Sequence, residues 1–351
     1  MTLIAIDVGG TSMKAALVPA PSGPAGSGAG AGGEVLLSET WPTDRTDPVG
    51  GILDFAAHIA ARADALGRPA RAAGIAVPGI VDEASGTAVR AANLGWRDVP
   101  LLHLAEERLG VPVAVGHDVR TGGLAEAVLG AGRDAGDFVF MAIGTGIAAA
   151  LILNGTTYPG VSGWSGEVGH IVVRPGGEDC ACGNKGCLET YASAASIARR
   201  YTTGHAAVLA AESTPNGAAG TTVGAATSTA SGTTVSTAGG APGTAVDESG
   251  LDTIRAEDVI ARAGTDDLAT RIWSEALDCL ADSLAATTLL LDPGLFVLGG
   301  GLAQAGALLL EPLQSRLAER LLFRPAPPLA VTRLGDRAAV HGAALLAARL
   351  L

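Results

Sequence analysis

The chain has 351 residues, 48% of them hydrophobic and 3% aromatic, and a formal charge of −12 at neutral pH. That length can build two domains around substantial cores, and the negative balance argues against a general affinity for nucleic acid or anionic membranes. Four cysteines, behind an opening MTLIAIDVGG with no basic segment ahead of its apolar run, argue against a secretory leader and a disulfide framework. A reduced, cytoplasmic setting is expected.

Apolar runs of strand length alternate with helical patterns, which predicts an α/β protein. LIAIDV (3–8) and MKAALV (13–18) read as an antiparallel hairpin across GGTS, and EVLLSET as a third strand after the Gly/Ala/Pro-rich turn at 20–33. Residues 49–66 carry helical spacing. AAGIAV (72–77) and VPVAV (111–115) are strands, and a helix is expected after Asp118. FVFMAI (138–143) and AAALIL (148–153), joined by GTGI, form a second predicted hairpin. Two hairpins, each with a glycine turn, suggest a duplicated unit. Residues 205–250, almost entirely Gly, Ala, Ser and Thr, have no helix or strand period and read as a surface insertion. Helical pattern resumes near Ala256. The apolar stretch from Ser283 is broken by Asp292-Pro293 and then by three glycines, so it reads as buried helix, strand, turn and helix, not as a membrane span.

Three glycine turns are candidates for holding phosphate. In DVGGTSMK, Gly9 and Gly10 let backbone N–H groups approach an anion, Thr11 and Lys14 add donors, and Asp7 could hold Mg²⁺ through water. Gly144, Thr145 and Gly146 form the second turn. Gly299, Gly300 and Gly301 form the third, ahead of a helix. A plain structural turn is the competing reading for each. Asp118 follows a strand and opens a helix, where it is either an N-cap or a base accepting a hydroxyl proton. Glu167 and His170 sit between glycines ahead of a predicted strand. His170, Cys180, Cys182 and Cys187 form a His-x9-Cys-x-Cys-x4-Cys set with the ligand types of structural zinc; Cys-x-Cys redox chemistry is the alternative. Cys279 lies in an apolar helix and reads as core.

DVGGTSMKAALV, AVPGIVD, NLGW, GHDVRTGGLAE, GTGI, and GWSGEVGH followed by CACGNKGCLE together resemble the ROK family of sugar kinases and regulators. The resemblance covers nearly the whole chain outside 205–250. It implies an actin-like (ribonuclease H-like) two-lobed α/β fold with ATP and sugar in the interlobe cleft. The smaller lobe would comprise 1–117 plus 337–351, and the larger 118–336 with the zinc loop at 170–189. It places Asp118 on the catalytic base, and Asn93, His117, Glu167, His170 and Glu189 on sugar-facing positions. The glycine turns fall on phosphate and adenosine contacts. ATP, Mg²⁺ and Zn²⁺ are the implied cofactors, and a homodimer or higher homo-oligomer the implied assembly. The implied activity is phosphoryl transfer to the C6 hydroxyl of a hexose, glucose first and an N-acetylhexosamine second. The family's regulators carry a helix-turn-helix ahead of the first strand, which here begins at Leu3; a non-catalytic sugar sensor is the other alternative. Two departures stand out: His117 where glucokinases commonly have Asn, and Ala148–Ala150 where the turn is usually glycine-rich.

Overall fold

A computed structural model describes residues 1–20, 35–91, 93–212 and 254–351. The sequence alternation resolves into two five-stranded sheets of matching design. In the first, β1 (Thr2–Val8) and β2 (Ser12–Pro19) form the antiparallel hairpin and β3 (Leu37–Pro42) extends it. Helix α1 (Pro48–Ala65) then returns the chain to β4 (Ala70–Val77), parallel to β1. A small three-stranded sheet of β5 (Ile80–Asp82), β6 (Thr87–Ala91) and β7 (Trp96–Val99) and helix α2 (Leu101–Leu109) precede β8 (Val113–His117), which completes the first sheet in the order β3-β2-β1-β4-β8.

Helix α3 (Asp118–Val128) leads to the second sheet, where β9 (Phe138–Ile143), β10 (Ile147–Leu153) and β11 (Thr156–Thr157) repeat the meander. The chain then runs through a short helix α4 (Glu189–Ala192), α5 (Ala194–Glu212), α6 (Ala256–Arg262) and the long α7 (Asp267–Leu291) to β12 (Phe296–Gly299). Helix α8 (Ala307–Arg320) and β13 (Leu329–Val331) close the sheet in the order β11-β10-β9-β12-β13, and α9 (Ala338–Ala348) ends the fold.

The two sheets exchange helices. Helix α3 leaves the last strand of the first sheet and packs on β9 and β10 of the second, while α9 leaves the second and packs on β1 and β4 of the first. The two helices cross each other at very short range: a Cβ on Gly342 would lie 1.9 Å from the Thr121 carbonyl oxygen. Small residues allow similar close approaches where the two helices meet the sheets. Gly74 of β4 meets the Ala343 backbone, and Gly123 of α3 meets Ala150 of β10, where a Cβ would be 2.5 Å from the alanine methyl. Ala148–Ala150, which depart from the family's usual glycine-rich turn, lie within β10 as the strand reading of AAALIL expects, with Ala150 packing against α3.

Several expectations change in the details. No strand follows His170: residues 171–173 make only a single bridge, Val172 to Cys187, behind a 3₁₀ turn at Val168–His170. The helical stretch from Ala256 is two helices, because Gly264 (φ +95°) breaks it and Asp266 caps the second through Leu268 and Ala269. The expected insertion at 205–250 begins inside α5; its part beyond Glu212 lies outside the described residues. Among the described residues no helix is long and apolar enough to cross a membrane.

Candidate active site

Strand ends and glycine turns build the site. Parallel strands β1, β4 and β8 all point one end at the same edge, so Asp7 near the end of β1 and Asp118 just past β8 come together there. Burial, then the charge of Asp118, pushes the Asp7 carboxyl up to about 7. Burial likewise pushes Asp118 up to about 6, opposed by the Val119 N–H and the Arg120 charge. The Asp118 side chain stays 29% exposed, so it is desolvated by its surroundings yet reachable. Two carboxyls of raised affinity for protons at one strand edge can exchange protons near neutral pH or share a hard cation.

The first glycine turn is held from outside the hairpin. Gly9 N–H donates to the Ser12 carbonyl, Thr43 Oγ1 donates to the Gly9 carbonyl at 2.7 Å, and Arg45 Nε donates to that of Gly10. Thr11 is exposed, its carbonyl accepting from Thr43 N–H. Thr43 and Arg45 carry no signal in the sequence, because their partners lie more than thirty residues away. The exposed Asn93 places its amide over Gly10, where a Cβ would sit 3.1 Å from Nδ2. Lys14 shares the face of Asp7 but gives its ammonium to the Asp336 carboxylate (2.9 Å) and carbonyl.

On the second sheet the two other turns meet. Gly300 at φ +77° packs on Ile143, whose carbonyl oxygen would lie 2.4 Å from a Cβ, so the 144–146 and 299–301 turns share one strand edge. Beside Gly301 opens a cavity of about 460 Å³, lined by Leu302, Gln304, Ala194, Arg255 and Ile260. Glu189, the first residue of α4, accepts the Ile147 N–H at 2.8 Å on Oε2 and so touches the 144–146 turn directly.

His117 caps α3 through its ring: Nδ1 accepts the Arg120 N–H at 3.3 Å. That role leaves the proton on Nε2, which stands 3.4 Å from Asp118 Oδ1. Burial, then the neighbouring Arg120 charge, depresses His117 to about 4, so the ring is neutral. Glu167 lies near enough for its charge to act on this ring.

The loop at 170–189 gathers His170, Cys180, Cys182 and Cys187 so that their ligand atoms all lie within 4.8 Å of one another. Cys180 Sγ is 3.7 Å from His170 Nδ1, and Cys182 Sγ is 3.8 Å from Cys187 Sγ. Tetrahedral zinc bonds of about 2.1 Å to nitrogen and 2.3 Å to sulfur would place such atoms about 3.6–3.8 Å apart, so the donor set fits that ion. The sulfurs are too far apart for a disulfide, and all four cysteines are free. Gly186 at φ +77° lets the chain close, since a Cβ there would strike the Arg174 carbonyl. Glu178 anchors the loop to α5 through Arg199 and Arg200, and Arg200 reaches on to Glu275 of α7. Cys279 is buried in α7, as expected of a core residue.

Comparison with known proteins identifies the family. The profile of the ROK family matches residues 3–349. The chain belongs to the ROK family. A glucokinase of Halalkalibacterium halodurans is 30% identical over 97% of this chain and 92% of its own. A ROK family glucokinase from Streptomyces griseus, solved with glucose and AMPPNP, superposes with a TM-score of 0.72 at 28% identity, covering 99% of each chain. A putative xylose repressor of Caldicellulosiruptor is 42% identical, but over 34% of this chain and 30% of its own. The whole-length matches fix the fold as actin-like and the protein as a sugar kinase of the ROK family. Within that ROK frame, Arg120, Glu83 and Glu126 are buried or bonded residues that sequence reading passed over. Glu126 is fully buried and binds the 332–334 segment through Thr332 Oγ1 and the Leu334 N–H, holding α3 to the approach of α9.

Proposed function

We propose that the chain is an ATP-dependent hexose kinase that phosphorylates the C6 hydroxyl, with glucose as the first expected acceptor. The observation that carries the reading is Asp118: a partly exposed carboxylate at the end of β8, placed beside Asp7 and the first glycine turn. With an affinity for protons near pH 6 it is about 90% ionised at pH 7. It can therefore accept the hydroxyl proton as the sugar oxygen bonds to the γ-phosphorus and the bond to the ADP oxygen breaks.

In this reading Asn93, Glu167, His170 and Glu189 orient the sugar, with His117 at the base's flank. Gly9, Gly10 and Thr11 face the γ-phosphate, and the turns at 144–146 and 299–301 the remaining phosphates and the ribose. The cavity beside Gly301 is large enough for a nucleobase. Lys14 would serve the phosphates after leaving Asp336. Asp7 is the residue to hold Mg²⁺, whose charge would offset the cost of its burial; when bound, the ion neutralises the phosphate oxygens. His170, Cys180, Cys182 and Cys187 would hold Zn²⁺ in a closed, structural site.

Two lobes, 1–117 with 337–351 and 118–336, closing over the sugar would exclude water from transfer. Soluble small molecules are the partners of this reading, with self-association into a homo-oligomer and a cytoplasmic setting. A coupled ADP-release assay across glucose, mannose, fructose, glucosamine, N-acetylglucosamine and N-acetylmannosamine tests it. Turnover with glucose above the others supports the reading; a folded, zinc-loaded protein inactive on all six overturns it in favour of a sugar sensor.

A further inference from the structure

We propose that Arg120 is a positioning residue that sets the acceptor-binding loop at 163–170 and the base Asp118 together. The inference rests on Asp118 being the base. Arg120 lies two residues after Asp118 on α3, and it is 2% exposed. Its guanidinium spends its donors in three directions. Nε donates to Glu83 Oε1 at 2.8 Å, one terminal nitrogen to the Gly163 carbonyl at 3.0 Å, and the other to the Val81 carbonyl at 3.4 Å.

Each partner belongs to a different part of the site. Glu83 follows β5, and the same Oε1 also accepts the backbone N–H of His117 at 3.1 Å, immediately before Asp118. Gly163 opens the GWSGEVGH stretch, four residues ahead of Glu167 and seven ahead of His170. Gly163 adopts φ +74° and packs on the Val81 carbonyl, where a Cβ would lie 2.9 Å away. The loop is thus seated on β5, with the guanidinium bonded to both carbonyls. One buried cation bridges a strand of the first half, the start of α3 and a loop of the second half.

Planar five-donor geometry is what this task needs. Arginine can hold divergent acceptors in a fixed fork, whereas the ammonium of a lysine reaches fewer of them. The two phosphate-side turns do not depend on it: Thr43 and Arg45 hold the first, and Glu189 holds the second. Losing Arg120 should therefore disturb acceptor binding and proton transfer while sparing ATP.

The experiment compares the full-length parent with Arg120→Met, Arg120→Lys and Glu83→Ala by steady-state kinetics, using the acceptor the parent turns over fastest, with zinc content and Tm measured alongside. Arg120→Met should lower kcat about 30-fold or more and raise the acceptor KM about 10-fold, with ATP KM within about 2-fold of the parent. Arg120→Lys should recover part of both losses, and Glu83→Ala should move both constants in the same direction but less. If Arg120→Met does not fold, the lysine and Glu83 variants carry the same comparison. A variant set with parental kcat and acceptor KM, or one that raises both KM values equally, overturns the inference. A parent inactive on every acceptor defeats the kinase reading and this inference with it; an active parent with an indifferent Arg120 defeats only the inference.

Discussion

Glu189 Oε2 accepts the backbone N–H of Ile147 at 2.8 Å, joining the end of the cysteine loop to the turn after β9. The glutamate directly follows Cys187 and Leu188, and Leu188 is fully buried. The cysteine loop is therefore fixed on the second glycine turn. A carboxylate accepting a backbone N–H is a strong, directional tie.

That relationship makes a prediction about zinc. Metal analysis of the purified protein should find about one zinc per chain, held by His170, Cys180, Cys182 and Cys187. Cys182→Ser should lose it and lower Tm by roughly 6–10 °C. Acceptor KM should rise through His170, and ATP KM should rise less, through Glu189 and the 144–146 turn. A zinc-free parent of full activity would refute the assignment.

Asp118→Asn removes the proposed proton acceptor but keeps the shape. It should lower kcat by about 10³-fold or more, with acceptor KM within a few-fold of the parent. The same substitution also removes a partly desolvated charge, so Tm at pH 7 should not fall. Near-parental turnover would show that another group takes the proton.

Proton linkage at the site has a sign opposite to that of a salt-bridged carboxylate. Asp7 rises from 3.8 to about 7 and Asp118 to about 6, so the folded state binds more protons than the unfolded one between pH 4 and 7. Stability should therefore decline as pH rises through that window in the absence of divalent cations. Asp7→Asn should flatten the decline and raise stability at pH 7.5, by at most about 4 kcal/mol. Activity moves the other way: kcat/KM should fall tenfold per pH unit below about 6, as Asp118 is protonated. Tm scans and pH–rate profiles measure the two slopes.

The crossing of α3 and α9 leaves no room for a side chain at Gly342, where a Cβ would meet the Thr121 carbonyl at 1.9 Å. Gly342→Ala should force the helices apart and cost about 2–3 kcal/mol. Thr121 follows Arg120, so the same change should reduce kcat more than it alters zinc content. Chemical unfolding with metal analysis separates the two.

Much of this was legible in the chain itself. The two hairpins, α1, the helix opening at Asp118 and the three glycine turns follow from local patterns of apolar period and turn chemistry. The three cysteines fall within eight residues, and glycines at 183 and 186 let that short loop gather them. The pattern of motifs was specific enough to point to one family. Less clear were elements whose pattern is weak or interrupted: the short β5–β7 sheet, the break between α6 and α7 at Gly264, and residues 171–173, where a strand was expected and only one bridge forms.

Only the tertiary structure decided how these parts act on one another. Arg120, Glu83 and Gly163 are far apart in sequence, and nothing local marks them as partners. The pairing of Lys14 with Asp336 spans 322 residues, and Ala150 shows its purpose only against Gly123 of α3. Local sequence determines which backbone shapes are cheap and which ligand types lie within one loop. The exchange of α3 and α9 between the sheets determines which buried charges meet, since an ion pair or a close backbone contact exists only once packing has excluded water and fixed the distance.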